Sequence, residues 1–302
     1  MKIDGKKVDE LLKLNGQKRS ELCTLAGLSS RTIAKIGKGE DIRESVARKI
    51  ADVLGVEPSA ITRGNEILRV LREERRLKVG GGLYHETQVR MTYNSNHMEG
   101  SRLTEEQTRY IFETATVGEL SADVPLDDVL ETNNHFRCVE YVIDHATEPL
   151  SEDFVLTLHR ILKTGTSFAA TYGAGLYKRL PNTVGGLETA SPADVPQQMA
   201  QLMRSYAPHR SATFEQIVEF HYHFECIHPF QDGNGRVGRL IMFKECLKND
   251  LVPFYIDDKY RYEYYNGLKQ WKNEHGYLIE TCRLGQDVYK RLLDYFQVSY
   301  ER

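Results

Sequence analysis

The sequence predicts an all-α protein carrying one short β-hairpin flap and a small, separate helical domain at its amino terminus. Three observations predict it. Apolar residues recur at a 3.6-residue spacing through most of the 302 positions. Capping and stop residues stand where those periodic runs begin and end. One stretch departs from the pattern: Gly173 to Gly186 is rich in Gly and Tyr, with Thr183-Val184 near its end, which suits a hairpin.

Taken in order, residues 1–62 read as short helices with tight turns. Val8, Leu11 and Leu12 make one apolar stripe, and Leu22, Leu25 and Ala26 make another. A serine-capped helix follows from Ser29 to Lys35. Val46, Ala47, Ile50, Ala51, Val53 and Leu54 then give a clear helical period closed by Gly55. Residues 63–82 read as a helical linker: Asn65 to Lys78 is charged, with Ile67, Leu68 and Leu71 along one side, and Gly80-Gly81-Gly82 reads as a hinge. No G-x-x-x-x-G-K-[ST] follows, so the triplet is not a phosphate loop of that type. Residues 83–302 form the body. Thr104 with Gln107 reads as a capping box opening a helix through Phe112. Further helices are expected at Leu126–His145, Ser151–Lys163, Ala193–Tyr206, Thr213–Cys226, Asn234–Lys248, Lys259–Trp271 and Tyr277–Phe296.

Composition narrows the class. With 40% hydrophobic and 27% charged residues the chain can bury one large core, or one core and a small appended domain. No stretch approaches the ~20 apolar residues of a membrane helix, and the start, Met-Lys-Ile-Asp-Gly-Lys-Lys, lacks the apolar run of a secretion signal. Five scattered cysteines without a C-x-x-C pair suit reduced thiols in the cytoplasm. His221, His223, Cys226 and His228 invite a zinc reading, but helical spacing points His221 and Cys226 to different sides. Residues 1–61 carry twelve Lys and Arg against nine Asp and Glu. From whole-chain totals of 40 and 43, the remainder is therefore acidic. A mildly basic head on an acidic body suits a nucleic-acid-facing module more than a body-wide DNA binder.

The chemistry concentrates in His228-Pro-Phe-Gln-Asp-Gly-Asn-Gly-Arg-Val-Gly-Arg239. Glycines at a helix N-terminus let backbone N–H groups converge on an anion that the helix dipole also favours. Arg236 and Arg239 share a helix face and can both reach a polyphosphate. Asp232 stands at the mouth, placed to hold Mg²⁺ against the same phosphates. His228 is near enough to take a proton from an attacking hydroxyl. Together they describe attack on a nucleotide phosphate, whereas any one alone would suit a surface loop with a capping Asp and solvated arginines.

This stretch is similar at every defined position to the Fic signature, H-x-F-x-[DE]-G-N-G-R-x-x-R, and the resemblance extends over roughly Leu83 to Phe296. It implies a helical Fic core that transfers AMP from ATP to a Ser, Thr or Tyr hydroxyl of a target protein, with pyrophosphate leaving. By that resemblance His228 is the general base and Asp232 binds Mg²⁺. Gly233, Asn234 and Gly235 with their amides hold the phosphates, Arg236 and Arg239 engage the outer ones, and Phe230 anchors the loop. Related Doc-type kinases carry lysine where Gly235 stands, so Gly235 favours nucleotidyl over phosphoryl transfer. Tyr264 and Tyr265 correspond to the place where the family packs adenine, although a tyrosine there suits a core equally. Thr183 and Val184 could align a target segment by strand addition, and Lys178 could do no more than sit in solvent.

Upstream, Ser95 and Glu99 lie four apart on one helix face and Gly100 ends the turn. This resembles the family's inhibitory motif, [ST]-x-x-x-E-[GN], in the same chain as the catalytic motif, which implies that no separate antitoxin is required. The resemblance implies that Glu99 pairs with Arg239 and keeps it from the γ-phosphate; a bidentate carboxylate–guanidinium pair can compete with phosphate for one arginine. An ordinary helix end with a solvated Glu is the plain alternative.

Glu21 to Ile33 resembles the helix-turn-helix of the Cro and phage-repressor class. That implies a recognition helix from Ser29 to Lys35, with Ser29, Ser30, Arg31, Thr32 and Lys35 at a DNA operator and a homodimer to bind it. A small helical domain for dimerisation or target docking remains the alternative. For the whole chain, so do a transcription factor whose body senses nucleotide, and AMP removal or phosphotransfer on the same scaffold.

Overall fold

In the computed structural model, residues 3–38, 42–61, 65–118, 123–184, 187–207 and 211–300 are described. The chain divides into two compact units, Met1–Glu66 and Ile67–Arg302. Gly186, the far end of the expected flap, lies outside the described residues.

The smaller unit is built from α1 (Gly5–Leu14), α2 (Arg19–Ala26), α3 (Ser30–Gly37) and α4 (Glu44–Leu54). Its caps do what the sequence asks of them. The Asp4 side chain accepts from the Lys6 and Lys7 amides, and Ser29 accepts from the Thr32 amide at 3.2 Å. Gly27 stops α2 with a φ of 61°, a left-handed turn that glycine adopts without strain. Ile3, Val8, Leu12, Leu22, Ile36, Ala47 and Ile50 close the core, each larger apolar side chain contributing about 1.5–3 kcal/mol by burial.

The larger unit comprises α5 (Glu66–Leu77, from Ile67 onward), α6 (Leu83–Met98), α7 (Glu105–Thr114), α8 (Leu126–Asp144), α9 (Glu152–Lys163) and α10 (Ser167–Tyr172). The strands β1 (Thr183–Val184) and β2 (Leu187–Glu188) follow, then α11 (Val195–Tyr206), α12 (Phe214–Ile227), α13 (Asn234–Lys248), α14 (Arg261–Gln270) and α15 (Gly276–Tyr295). The Thr104–Gln107 capping box opens α7 as expected. The hairpin pairs Thr183 with Glu188 and Val184 with Leu187, so its second strand lies just past the expected stretch. No helix among the described residues is long and apolar enough to cross a membrane.

The expected linker helix is not a free connector. On α5, Ile67, Leu68 and Leu71 are buried in the larger core, and Arg72 donates to the Ile143 carbonyl at 3.0 Å. Glu74 accepts from the Tyr84 amide across the glycine turn at 2.7 Å. The three apolar positions that read as one side of a connector are thus a packing stripe.

Two helices decide where chemistry can sit. α13 packs against α12, α8, α6 and α9 and is buried along nearly its whole length. α6 also runs through the interior, although Thr87, Gln88, Thr92, Asn94, Ser95 and Asn96 are polar. Buried polar groups require partners: Thr87 meets Tyr289 at 2.8 Å and Thr92 meets His135 at 2.9 Å. This brings the last turn of α6 against the first turn of α13.

Candidate active site

Helix α12 opens with a Thr213–Gln216 capping box and ends at His228, whose backbone is left-handed (φ 50°, ψ 61°). A non-glycine residue there is uncommon and carries strain. The reversal brings the chain off the helix and leaves the imidazole mostly buried, beside Glu225. The ring Nδ1 is buried and has no hydrogen-bond partner.

Behind His228 the loop is fixed from within. Phe230 is fully buried and stacks on His159 at 3.9 Å, with the rings 7° from parallel. Asn234 accepts from the Phe230 amide at 2.8 Å and donates to its carbonyl at 2.9 Å. The side chain expected to hold phosphate is therefore spent on the loop's own backbone. His159 accepts from the Gly175 amide at Nδ1 (2.9 Å), so Nε2 carries the proton and donates to the Asp232 carbonyl (3.2 Å). Burial pushes the His159 imidazole down to about 3, with the Lys163 charge helping, so it stays neutral.

Asp232 is half exposed and ion-paired on one oxygen with Lys163, which is fully buried and also grips Glu131. Glu131 in turn binds Arg236, whose other nitrogen lies 3.3 Å from Asp232. Burial alone would raise the Asp232 carboxyl, but the Arg236 and Lys163 charges overcome it and hold it well below the usual carboxylate range. The resemblance places Arg236 at the outer phosphates. Here it is buried with Glu131 and Asp232 as its counter-charges, because α8 brings Glu131 over the start of α13.

Arg239 has a different environment. It is buried, donates from Nε to the Ser95 hydroxyl at 3.0 Å, and donates from Nη2 to the Ser95 carbonyl at 2.9 Å and to Glu99 Oε1 at 2.7 Å. Glu99 caps α6, and Gly100 takes a φ of 95° to end it. The pairing expected between Glu99 and Arg239 is present, but as one hydrogen bond and not a bidentate fork. Serine supplies the other two contacts. A Cβ built on Gly235 would run into the Glu99 carboxylate and then Arg239. The carboxylate therefore rests on the first turn of α13, where helix amides lack intrahelical partners and favour an anion.

The remaining expected residues divide. Tyr264 is core, its hydroxyl 2.6 Å from His221 Nε2. Tyr265 is partly exposed and donates to the Met98 carbonyl at 3.2 Å, beside the Glu99 turn. Thr183 is exposed on β1 and Val184 half-buried. Lys178, expected in solvent, is buried. Its ammonium donates to Asn182 (2.7 Å), Thr189 (2.6 Å) and the Ile227 carbonyl (3.3 Å), tying the base of the hairpin to the end of α12. In the smaller unit, Ser29, Ser30, Arg31 and Lys35 lie on the exposed side of α3 and Thr32 is half-buried.

Sequence reasoning missed Glu131, Lys163 and His159, because each acts across helices. A lysine and a histidine within the apolar run of α9, at His159 and Lys163, were the only available signal.

Residues 149–246 match the family model described as Fic/DOC family, and residues 7–62 match that of the Cro/C1-type HTH DNA-binding domain. The chain carries a Fic domain. It is 27% identical over 210 residues to the protein adenylyltransferase Fic of Nematostella vectensis, covering 68% of this chain and 48% of that one. The Drosophila melanogaster protein of the same name is 24% identical over 249 residues, covering 82% and 48%. The chain thus spans about half the length of the relatives it matches. Among solved structures, a Fic domain containing signaling protein from Bacteroides thetaiotaomicron has a TM-score of 0.62 at 24% identity, covering 78% of this chain and 99% of that one. A Fic family protein from Desulfovibrio desulfuricans gives 0.59 at 22%, covering 78% and 74%. These structural likenesses carry the fold of a helical Fic body, and the amino-terminal helix-turn-helix rests on the match of residues 7–62.

Proposed function

We propose that this chain transfers AMP from ATP to a hydroxyl side chain of a protein, and that Glu99 holds the reaction back. The observation that carries the reading is the Glu99 carboxylate lying on the first turn of α13 while bonded to Arg239. A carboxylate there occupies the anion position of a helix N-terminus and engages the nearby cation that lacks a counter-charge within the loop. His228 Nε2 takes the proton of the attacking hydroxyl. Its oxygen bonds to the α-phosphorus, and the bond to the bridging oxygen breaks, so that pyrophosphate leaves with the electron pair. The amides of Gly233, Asn234 and Gly235 face the phosphates, and Arg239, once released, meets the outermost one.

Asp232 suits Mg²⁺. Lys163 holds one of its oxygens, but Oδ1 has only a 3.4 Å contact with Arg236. Among the described residues no three His, Cys, Asp or Glu side chains are grouped to hold a metal. A cation held by one carboxylate and the substrate's phosphates is therefore the fit. When bound it would neutralise phosphate charge.

The test is incubation of wild type, Glu99→Gly and Glu99→Gly/His228→Ala with α-³²P-ATP and Mg²⁺, with and without host lysate. Label on protein in Glu99→Gly alone supports transfer, brake and base together. In the double variant we expect a loss of about 10²–10⁴-fold, the usual contribution of a general base. No label in any variant that still binds ATP would put nucleotide sensing ahead of catalysis. Label removed from a modified protein would point to AMP removal.

For the smaller unit we propose operator DNA as partner, through Ser30, Arg31 and Lys35 on α3, bound by a homodimer in the cytoplasm. All five cysteines are free thiols, a state that a reducing compartment would preserve. Binding no tighter than 10⁻⁴–10⁻⁶ M at physiological salt for every sequence tried would remove this role and leave protein docking.

A further inference from the structure

Three buried polar atoms around the end of α12 have no hydrogen-bond partner: His221 Nδ1, Glu225 Oε1 and His228 Nδ1. They surround one carboxylate. Glu225 is one turn before His228, and its Oε2 lies 3.6 Å from His228 Nδ1, just outside hydrogen-bonding range. Its other oxygen crowds the same point as His221 Nδ1: a Cβ built on Gly238 would meet both. A glycine on α13 is what lets the two side chains lie there.

We propose that Glu225 is the positioning residue of His228. Its carboxylate accepts the Nδ1 proton, which fixes the imidazole with the Nε2 lone pair facing the cleft, and it stabilises the imidazolium formed when Nε2 takes the hydroxyl proton. The inference rests on His228 being the base. A buried carboxylate costs free energy unless a partner is supplied, and the unpartnered ring nitrogen beside it is the matching group. Orienting carboxylates do this to base and metal-ligand histidines generally. The charged groups facing Glu225 agree with an ionised carboxylate. Burial raises its carboxyl, but His228 and His221 on its own helix and Arg239 on α13 outweigh that and hold it below the usual range. Tyr264 and Tyr265 face it from α14.

The experiment uses Glu99→Gly as parent, with Glu225→Gln and Glu225→Asp added. Initial rates of label incorporation against ATP concentration should show the apparent kcat reduced by about 10–100-fold in Glu225→Gln with KM for ATP within about twofold, and part of the rate restored in Glu225→Asp. Independently of activity, two-bond ¹H–¹⁵N correlation on ¹⁵N-histidine protein reads which nitrogen of His228 carries its proton, the resonance being identified by its loss in His228→Ala. Wild type should hold the proton on Nδ1, and Glu225→Leu should lose that preference. A rate unchanged within twofold in Glu225→Gln, or wild-type His228 protonated on Nε2, overturns the proposal. If the parent itself incorporates no label, the AMP-transfer reading fails, while the tautomer measurement still decides this one.

Discussion

Arg236 and Arg239 leave the same helix one turn apart and are equally buried, at 4% exposure each, yet their surroundings differ in kind. Arg236 is held by Glu131 from α8 and by Asp232 from its own loop, within a group that also contains the buried Lys163. Arg239 is held by the end of α6, where Ser95 gives two bonds and Glu99 one, and that carboxylate is 25% exposed. A deeply buried ionic group cannot lose a member without stranding charge, whereas a rim carboxylate can return to water cheaply. The first arginine is thus part of the fold, and under the proposed function the second is the one released to a ligand.

The largest expected effect breaks the first side of this comparison. Glu131→Ala should cost the larger unit about 3–5 kcal/mol in urea denaturation, the usual result of removing one partner of a buried pair. Glu99→Ala should cost less, because the Ser95 hydroxyl and carbonyl still accept from the Arg239 guanidinium; equal losses would erase the distinction. Next, Glu99→Gly should raise AMP transfer by at least about tenfold, since each 1.4 kcal/mol of preference is a factor of ten, and Glu131→Ala should not raise it. Ser95→Ala removes one hydrogen bond, of about 1 kcal/mol. It should give a rise of only several-fold in the same labelling assay, and a rise matching Glu99→Gly would move the brake from the carboxylate to the serine.

Lys178 sharpens the contrast from a third side, being a buried ammonium whose bonded partners are all neutral. Burial pushes it down to about 8. Between pH 8 and its unfolded value near 10.4 the folded protein therefore binds fewer protons than the unfolded chain, and stability should rise with pH. The gain should be on the order of a kcal/mol and be absent in Lys178→Met. A flat wild-type profile would mean that the charge is kept despite the lack of a counter-ion.

Much of the site was legible because its logic is local. His228, Asp232, Gly233, Gly235 and Arg239 lie within twelve residues, and the caps at Thr104, Ser29 and Gly100 are decided by neighbours in sequence. Glu225 was legible in principle, three residues before His228, but a glutamate near a helix end more often faces water. The readings that changed were those about partners. Asn234 closes its own loop instead of facing phosphate, Lys178 is buried instead of solvated, and residues 67–77 are core instead of linker.

By itself the sequence determined the helical class, the hairpin, the two units, and a loop-to-helix turn suited to an anion beside a histidine. Those features follow from backbone preferences and spacing over a few residues. Only the tertiary structure decided which charge meets which. Glu131 is 105 residues from Arg236 and Glu99 is 140 residues from Arg239. An ion pair has no sequence period: its partner is whatever acid the packing of α6, α8 and α9 brings to the first turn of α13, and burial then sets how firmly each pair is held.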